Sequence, residues 1–108
     1  MQIFIPFKKT DYQTGGYEAI TVDTAIGFTV AKIMPTSGQF INMACQEVFC
    51  TLETDNIRFT IDGTVPSSTV GHLLKVGESL TISNADDIKN FKCIKVTTNA
   101  SLKISYKF

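Results

Sequence analysis

The chain ends in Ser101-Leu102-Lys103-Ile104-Ser105-Tyr106-Lys107-Phe108, and this stretch decides the fold class. Polar and apolar side chains alternate at every position in it. Because successive side chains of a β-strand point to opposite faces, strict alternation predicts a strand with one buried face and one wet face. Such strands are typical of antiparallel sheets, which pack one face on a core and leave the other in water.

The same period of two recurs upstream, where Ile57, Phe59 and Ile61 are separated by polar residues. Further strands are predicted at residues 17–22, 28–33, 44–53, 71–74, 79–82 and 91–98. One helical turn is predicted at residues 84–88, with Asn84 as its cap. Asn99-Ala100 is expected to join the last two strands as a tight hairpin. We therefore predict an all-β fold, a small antiparallel β-sandwich or jelly-roll-like domain of about eight strands.

The length and composition indicate one globular domain. The chain has 108 residues, of which 44% are hydrophobic and 19% are charged. Residues 1–16 are expected to form an apolar N-terminal arm or edge strand, and residues 17–108 a single β-sandwich domain. The formal net charge is +0, so the basic excess of a nucleic-acid-coating protein is missing and no nucleic-acid partner is expected. Neither a secretory signal nor a membrane span is expected.

The residues that carry chemistry are few and dispersed. Cys45 and Cys50 are predicted to share a strand, where they lie too far apart for a disulfide, so the three cysteines are expected to be buried thiols. His72 is the single histidine and has no nucleophile or orienting carboxylate near it in sequence. The cysteines and His72 match no zinc-ligand spacing. The sequence therefore predicts no catalytic residues, no metal site, no cofactor and no enzymatic activity.

The N-terminal arm differs from the other segments. Ile3, Phe4, Ile5 and Phe7 are clustered apolar residues that do not alternate, and Pro6 interrupts them. Proline cannot donate to a sheet ladder, so the segment suits an edge strand or an extended arm. Burial of four such side chains contributes roughly 6–12 kcal/mol before ordering costs. The arm is therefore expected either to join the core of its own domain or to dock on a neighbouring subunit.

A turn with a defined chemistry follows the central alternating segment. Gly63 permits a positive φ after the strand, Pro66 fixes the exit of the loop, and Asp62 can accept backbone N–H groups. These residues are predicted to be a structural turn. A loop that is well made for structural reasons and binds no partner is one explanation of these residues.

The same region carries a family resemblance. The distinctive segments are Ile57-Arg58-Phe59-Thr60-Ile61-Asp62-Gly63-Thr64-Val65-Pro66-Ser67, Gly71-His72-Leu73-Leu74 and Asn90-Phe91-Lys92. With the final strand, they resemble small proteins of the structural gene clusters of tailed bacteriophages. The resemblance covers roughly the second half of the chain. It implies a virion component, such as a capsid decoration, auxiliary or head-attached protein, made in the host cytoplasm.

The resemblance also implies the partners. These would be the major capsid protein or the neck and head proteins, and the chain would form a homo-oligomer or occupy many lattice positions, without a membrane partner. The segment from Ile57 to Ser67 is also similar to Ig-like modules attached to chitobiase and other carbohydrate-active enzymes. That second resemblance implies a carbohydrate-binding or adhesive β-sandwich. It predicts exposed aromatic side chains on one face, with Tyr12 and Tyr17 as candidates.

Overall fold

A computed structural model describes residues 12–108 of the chain. The predicted arm residues Ile3, Phe4, Ile5 and Phe7 lie outside the described residues. The described part contains seven strands and two short helices, in the order β1 (Thr14–Val22), α1 (Val30–Ile33), β2 (Glu47–Glu53), β3 (Ile57–Thr60), β4 (His72–Leu74), β5 (Ser79–Ile82), α2 (Ala85–Asn90), β6 (Lys92–Lys95) and β7 (Ala100–Lys107). No helix within residues 12–108 is long and apolar enough to cross a membrane.

The strands form two antiparallel sheets. The four-stranded sheet has the order β1-β7-β2-β5, and the three-stranded sheet has the order β4-β3-β6. All strand pairs in both sheets are antiparallel. The prediction of a small all-β sandwich is therefore confirmed, with seven strands within residues 12–108 against a predicted total of about eight.

The C-terminal strand lies at the centre of the larger sheet. β7 pairs with β1 on one side and with β2 on the other. Its apolar residues Leu102, Ile104, Tyr106 and the adjoining Phe108 are buried, as the alternation predicted. Two-sided pairing and one buried face define the register of this strand, because a slip of one residue would turn every apolar side chain outward.

One polar network lies at the edge of the sandwich beside this strand and joins buried Tyr106, half-buried Glu18 and exposed Thr29. The Tyr106 hydroxyl donates to a Glu18 carboxylate oxygen at 2.9 Å, and the Thr29 hydroxyl donates to the same carboxylate at 2.7 Å. Burial, together with the hydrogen bond to Glu18, raises the pKa of Tyr106. The bonds satisfy polar groups that would otherwise be costly to bury. They also fix the segment that follows β1 against the inner face of the sheet.

The segment after β1 closes one side of the sandwich. Ile26 exchanges two backbone hydrogen bonds with Cys93 of β6, at 2.9 and 2.8 Å. An ion pair of 2.6 Å between Lys95 and Asp23 lies next to this bridge. Phe28 then enters the core. The chain therefore crosses from the four-stranded sheet to the three-stranded sheet at this side.

The predicted strand at residues 28–33 is wrong. Only Phe28 is buried there, and the following residues form the helical turn α1. The physical reason is the lack of a partner: continuing the antiparallel register of Ile26 and Cys93 would place Thr29 opposite Asn90, which belongs to α2. With no strand to pair with, the backbone forms local bonds, such as the Met34 N–H to the Val30 carbonyl at 2.9 Å.

The two other local predictions have opposite outcomes. The helical turn after Asn84 is confirmed as α2, and the Asn84 side chain accepts the N–H groups of Asp86 and Asp87 at 2.9 and 3.1 Å. The hairpin at Asn99 is wrong, because β6 and β7 lie in different sheets. Residues 96–99 cross between the sheets, a connection that strand alternation does not reveal.

The boundary of the first strand also differs from the predicted one. β1 begins at Thr14, three residues before the predicted strand start at residue 17. Thr14, Gly15 and Gly16 therefore extend β1, which forms an edge of the four-stranded sheet. An irregularity of register occurs between Thr14 and Gly16. Gly15 is required here by close packing, since a Cβ atom would come within 2.7 Å of the Phe40 ring.

Candidate docking site

An apolar groove opens at one end of the sandwich, between α1 and α2. Its volume is about 570 Å³, which lies in the range of pockets that bind ligands or peptide side chains. The apolar side chains that line it come from three segments of the chain: Phe28, Val30, Ile33 and Met34, then Ala44 and Cys45, and finally Ala85, Ile88 and Phe91.

A rigid pair of aromatic rings forms the inner surface of the groove. Phe28 stacks on Phe91 with ring centroids 4.2 Å apart and planes 11° apart. Phe28 also meets Tyr106 edge-on at 5.9 Å. Phe91 follows α2 directly and is buried, as is Ile88 within that helix. The cap at Asn84 therefore sets the position of this wall, because it fixes the first turn of α2.

The opposite wall exposes apolar side chains to water. Val30 is 75% exposed, the largest exposed fraction among the large apolar residues described, and Met34 is also exposed. The backbone of α1 is held at both ends: the Thr29 hydroxyl binds Glu18, and the Ile33 carbonyl accepts the Cys45 N–H at 2.8 Å. Val30 is thus presented at the groove by a fixed backbone. Removal of such a side chain from water is favourable.

The rim of the groove is polar and carries both signs of charge. Asp86, Lys89 and Lys92 are the charged residues that line it. An apolar centre inside a polar, solvent-accessible rim is the usual arrangement of a protein–protein interface. The groove is therefore a candidate docking site for an apolar peptide segment.

The first strand supplies a second surface suited to docking. β1 has nine residues and, within residues 12–108, pairs only with β7. Unpaired N–H and C=O groups on such an edge are a template for another strand. The strand contains no lysine or proline of the kind that blocks edge pairing, and its single charged residue, Glu18, is half-buried and binds Tyr106.

Two exposed aromatic residues share a row on the outer face of the larger sheet. Tyr17 and Phe49 are both register partners of Ser105, on the two sides of β7. They are 59% and 40% exposed. Partners in an antiparallel register point to the same face, so the two rings flank Ser105, with Cα atoms roughly 10 Å apart across two strand spacings.

The predicted turn residues form a loop whose polar groups bind one another. The Asp62 carboxylate accepts the Thr64 N–H at 3.0 Å, which lowers the pKa of Asp62. Gly63 has φ 88°, in the left-handed region, and Pro66 is buried. Arg58 donates to the carbonyls of Ser68 and Gly71 at 3.3 and 3.2 Å. These contacts account for the turn residues without a ligand.

The nucleophilic and metal-binding side chains do not converge. The thiols of Cys45, Cys50 and Cys93 are buried, and burial raises the pKa of Cys50 and of Cys93 to about 12. A thiol with a raised pKa is a poor nucleophile at neutral pH. His72 lies beside the Phe59 ring at 5.3 Å. Among residues 12–108, no group of three or more His, Cys, Asp or Glu side chains is arranged to hold a metal ion.

The groove and the aromatic row were both missed by sequence reasoning. Val30 belongs to a segment predicted as a strand. The predicted strand at residues 44–53 includes Phe49, but its sequence predicts no face for that side chain. Tyr17 was named as a stacking candidate, but its neighbour across β7 could not be known without the strand order. The sequence signal that could have indicated the groove is the pair of apolar residues at Val30 and Ile33, whose spacing suits one face of a helical turn.

No protein-family model matches the chain, and neither a curated protein nor a solved structure matches it significantly. A functional assignment therefore rests on the surfaces described above and on the sequence motifs.

Proposed function

We propose that this chain is a non-enzymatic structural component of a tailed-phage virion that acts by docking on neighbouring protein subunits. The observation that carries the docking function is the apolar groove between α1 and α2, with its exposed Val30 and polar rim. A buried, stacked pair of rings beneath the groove holds its base in a fixed arrangement. Preformed surfaces bind at a lower ordering cost than mobile ones.

The edge of β1, which is unpaired within the described residues, supports the same function. A strand from a partner can pair with this edge through backbone hydrogen bonds while its side chains fill neighbouring apolar pockets. Both features favour recognition of extended protein segments. Neither requires a titratable side chain to act on a substrate, which is consistent with a non-enzymatic protein.

The virion part of the proposal rests on the sequence motif from Ile57 to Leu74, which resembles proteins of phage structural gene clusters. Under this proposal the chain decorates, supports or attaches to the head. Its partners are the major capsid protein, or neck and head proteins, and further copies of itself. Phage particles present identical surfaces many times, so one docking groove per copy is sufficient to cover a lattice.

The test is mass spectrometry of phage particles released from the source organism and purified by density. The proposal expects peptides of this chain to co-sediment with the major capsid protein in many copies per particle. Peptides found only in the fraction that does not sediment, in a preparation that contains intact particles, contradict the virion function.

A carbohydrate-binding or adhesive module is the second candidate function. The observation that favours it is the row formed by Tyr17, Ser105 and Phe49 on the outer face of the larger sheet. Two exposed rings on one sheet face, with the Ser105 hydroxyl between them, can stack against the apolar faces of successive sugar rings. We prefer the docking function because two surfaces support it, the groove and the edge of β1 that is unpaired within residues 12–108. The carbohydrate-binding function rests on two exposed side chains.

A further inference from the structure

On the basis of the docking function, we propose that the groove between α1 and α2 of one copy binds the N-terminal arm of a second copy, through Ile3, Phe4, Ile5 and Phe7 of that arm. The chain would thereby assemble with itself through an arm-to-groove contact. The arm is apolar like the groove, it leaves the domain at the end where the groove opens, and the loop of residues 35–43 obstructs its path to the groove of its own copy.

The chemistry of the arm matches that of the groove. Residues 1–11 lie outside the described part of the chain, and four of them are large apolar residues within a stretch of five positions. The polar residues Lys8, Lys9, Thr10 and Asp11 follow and separate this apolar cluster from β1. Eleven residues in an extended conformation span about 40 Å at most, which is sufficient to reach an adjacent copy.

The arm leaves the domain at the end where the groove opens. Gln13 and Phe108 exchange two backbone hydrogen bonds, at 3.0 and 2.9 Å, so the segment before β1 begins at this end of the larger sheet. Lys107 is the register partner of Thr14 on one side and of Glu47 on the other. The Sγ of Cys45, in the groove, contacts the Lys107 carbonyl at 3.3 Å. The exit of the arm and the groove are therefore roughly 10 Å apart, or two strand spacings.

The loop of residues 35–43 lies between the arm's exit and the groove of the same copy. Phe40 stacks on Phe108 at 4.8 Å and packs over Gly15 near the start of β1. The two ends of this loop, at Met34 and Ala44, line the groove itself. Residues 8–11 contain no glycine or proline for a sharp reversal around the loop. An arm from a second copy approaches the groove from solvent and meets no such obstruction.

The experiment uses full-length chains and sedimentation equilibrium over a range of concentrations. The groove variant is Val30→Asp, which changes an exposed side chain of the wall, and the arm variant combines Phe4→Ser with Ile5→Ser. The matched control is Val65→Asp, an equally polar change at another exposed valine, outside the groove. Circular dichroism verifies the fold, and Met34→Lys replaces Val30→Asp if that variant unfolds.

The wild type and Val65→Asp are expected to self-associate with the same dissociation constant. The groove variant and the arm variant are each expected to raise it at least about tenfold. An equimolar mixture of these two variants is expected to form heterodimers, because an intact arm meets an intact groove only between unlike copies. A monomeric wild type, an equal effect of Val65→Asp, or a mixture that stays monomeric would overturn the proposal.

The test of the arm-to-groove contact and the test of the virion function can give different results. Arm-to-groove association of a chain that is missing from particles supports this contact and contradicts the virion function. A chain found in particles that is monomeric on its own supports the virion function and contradicts this contact.

Discussion

The rings of Phe28 and Phe91 are stacked at 4.2 Å, and this contact joins the two walls of the groove. Phe28 belongs to the segment that leads into α1, and Phe91 ends α2. The two helices belong to neither sheet, so no strand pairing fixes their separation. The stack and the core beneath it therefore determine the width of the groove. A rigid base under an exposed apolar wall is what a docking surface needs.

Phe28→Ala tests the importance of this stack for stability. Truncation of a buried phenylalanine removes apolar contacts and leaves a cavity, so we expect a loss of about 3–5 kcal/mol in the free energy of unfolding. Urea denaturation measures the loss. Phe49→Ala is the matched control, because Phe49 is exposed on the outer face, and its expected cost is below about 1 kcal/mol. Similar costs for the two variants would contradict the position of Phe28 in the core.

Gly63→Val tests the turn after β3. Gly63 has φ 88°, and no atom lies within 4 Å of a Cβ built there, so the cost of a side chain is conformational and not steric crowding by neighbours. We expect a loss of about 1–3 kcal/mol, because a β-branched residue is disfavoured at positive φ. Thermal unfolding measures it. Gly63→Asn should retain most of the stability, since asparagine tolerates this region; equal melting temperatures for Gly63→Val and the wild type would refute the turn assignment.

Stability is expected to fall at alkaline pH because of the buried thiols. Burial raises the pKa of Cys50 and of Cys93 from 9.0 to about 12. Above pH 9 the unfolded chain loses these protons while the folded chain retains them, so the unfolded state is favoured. The contribution of the two protonated thiols to the free energy of unfolding is complete below pH 9. It is lost as the pH rises towards 12, by about 1.4 kcal/mol per pH unit for each thiol.

The measurement is urea unfolding at pH 7, 9 and 10.5. Cys93→Ala provides the control: it lowers stability at neutral pH by leaving a small cavity, but it should reduce the slope above pH 9 by about 1.4 kcal/mol per pH unit. An unchanged slope in Cys93→Ala would show that this thiol is not the group that titrates.

Tyr17→Ala and Phe49→Ala test the second candidate function. If the outer face stacks on sugars, both variants should weaken binding to an insoluble polysaccharide such as chitin by about tenfold each, without loss of fold. Val65→Ala, at an exposed site on another loop, should leave binding unchanged. A wild type that fails to bind a panel of polysaccharides would remove the carbohydrate-binding function from consideration.

Local patterns in the sequence identified the elements whose structure depends on local chemistry. The alternation from Leu102 to Phe108 predicted β7, and the asparagine before two acidic residues predicted α2. Both rest on rules of side-chain direction and capping that act within a few residues. The all-β class followed from the alternation in β7 and in the other alternating segments.

The missed features depend on partners that are distant in sequence. Residues 30–33 form a helical turn because β6 ends the available pairing at Lys92. Asn99 ends a crossing between the sheets because β7, which begins at the next residue, inserts between β1 and β2. The groove arises only when the segment after β1 and the helix before β6 come together. Apart from the helical spacing of Val30 and Ile33, none of these relationships has a signature in local periodicity.

The central claim is that the groove of one copy binds the arm of another, and one measurement tests it directly. In an equimolar mixture of a chain with labelled valine methyl groups and an unlabelled chain, isotope-filtered nuclear Overhauser spectra report contacts between copies only. The account predicts intermolecular signals from the Val30 methyl groups to the ring protons of Phe4 or Phe7. Well-dispersed spectra with Val30 signals only to rings of its own copy, or with no ring signals at all, would contradict it.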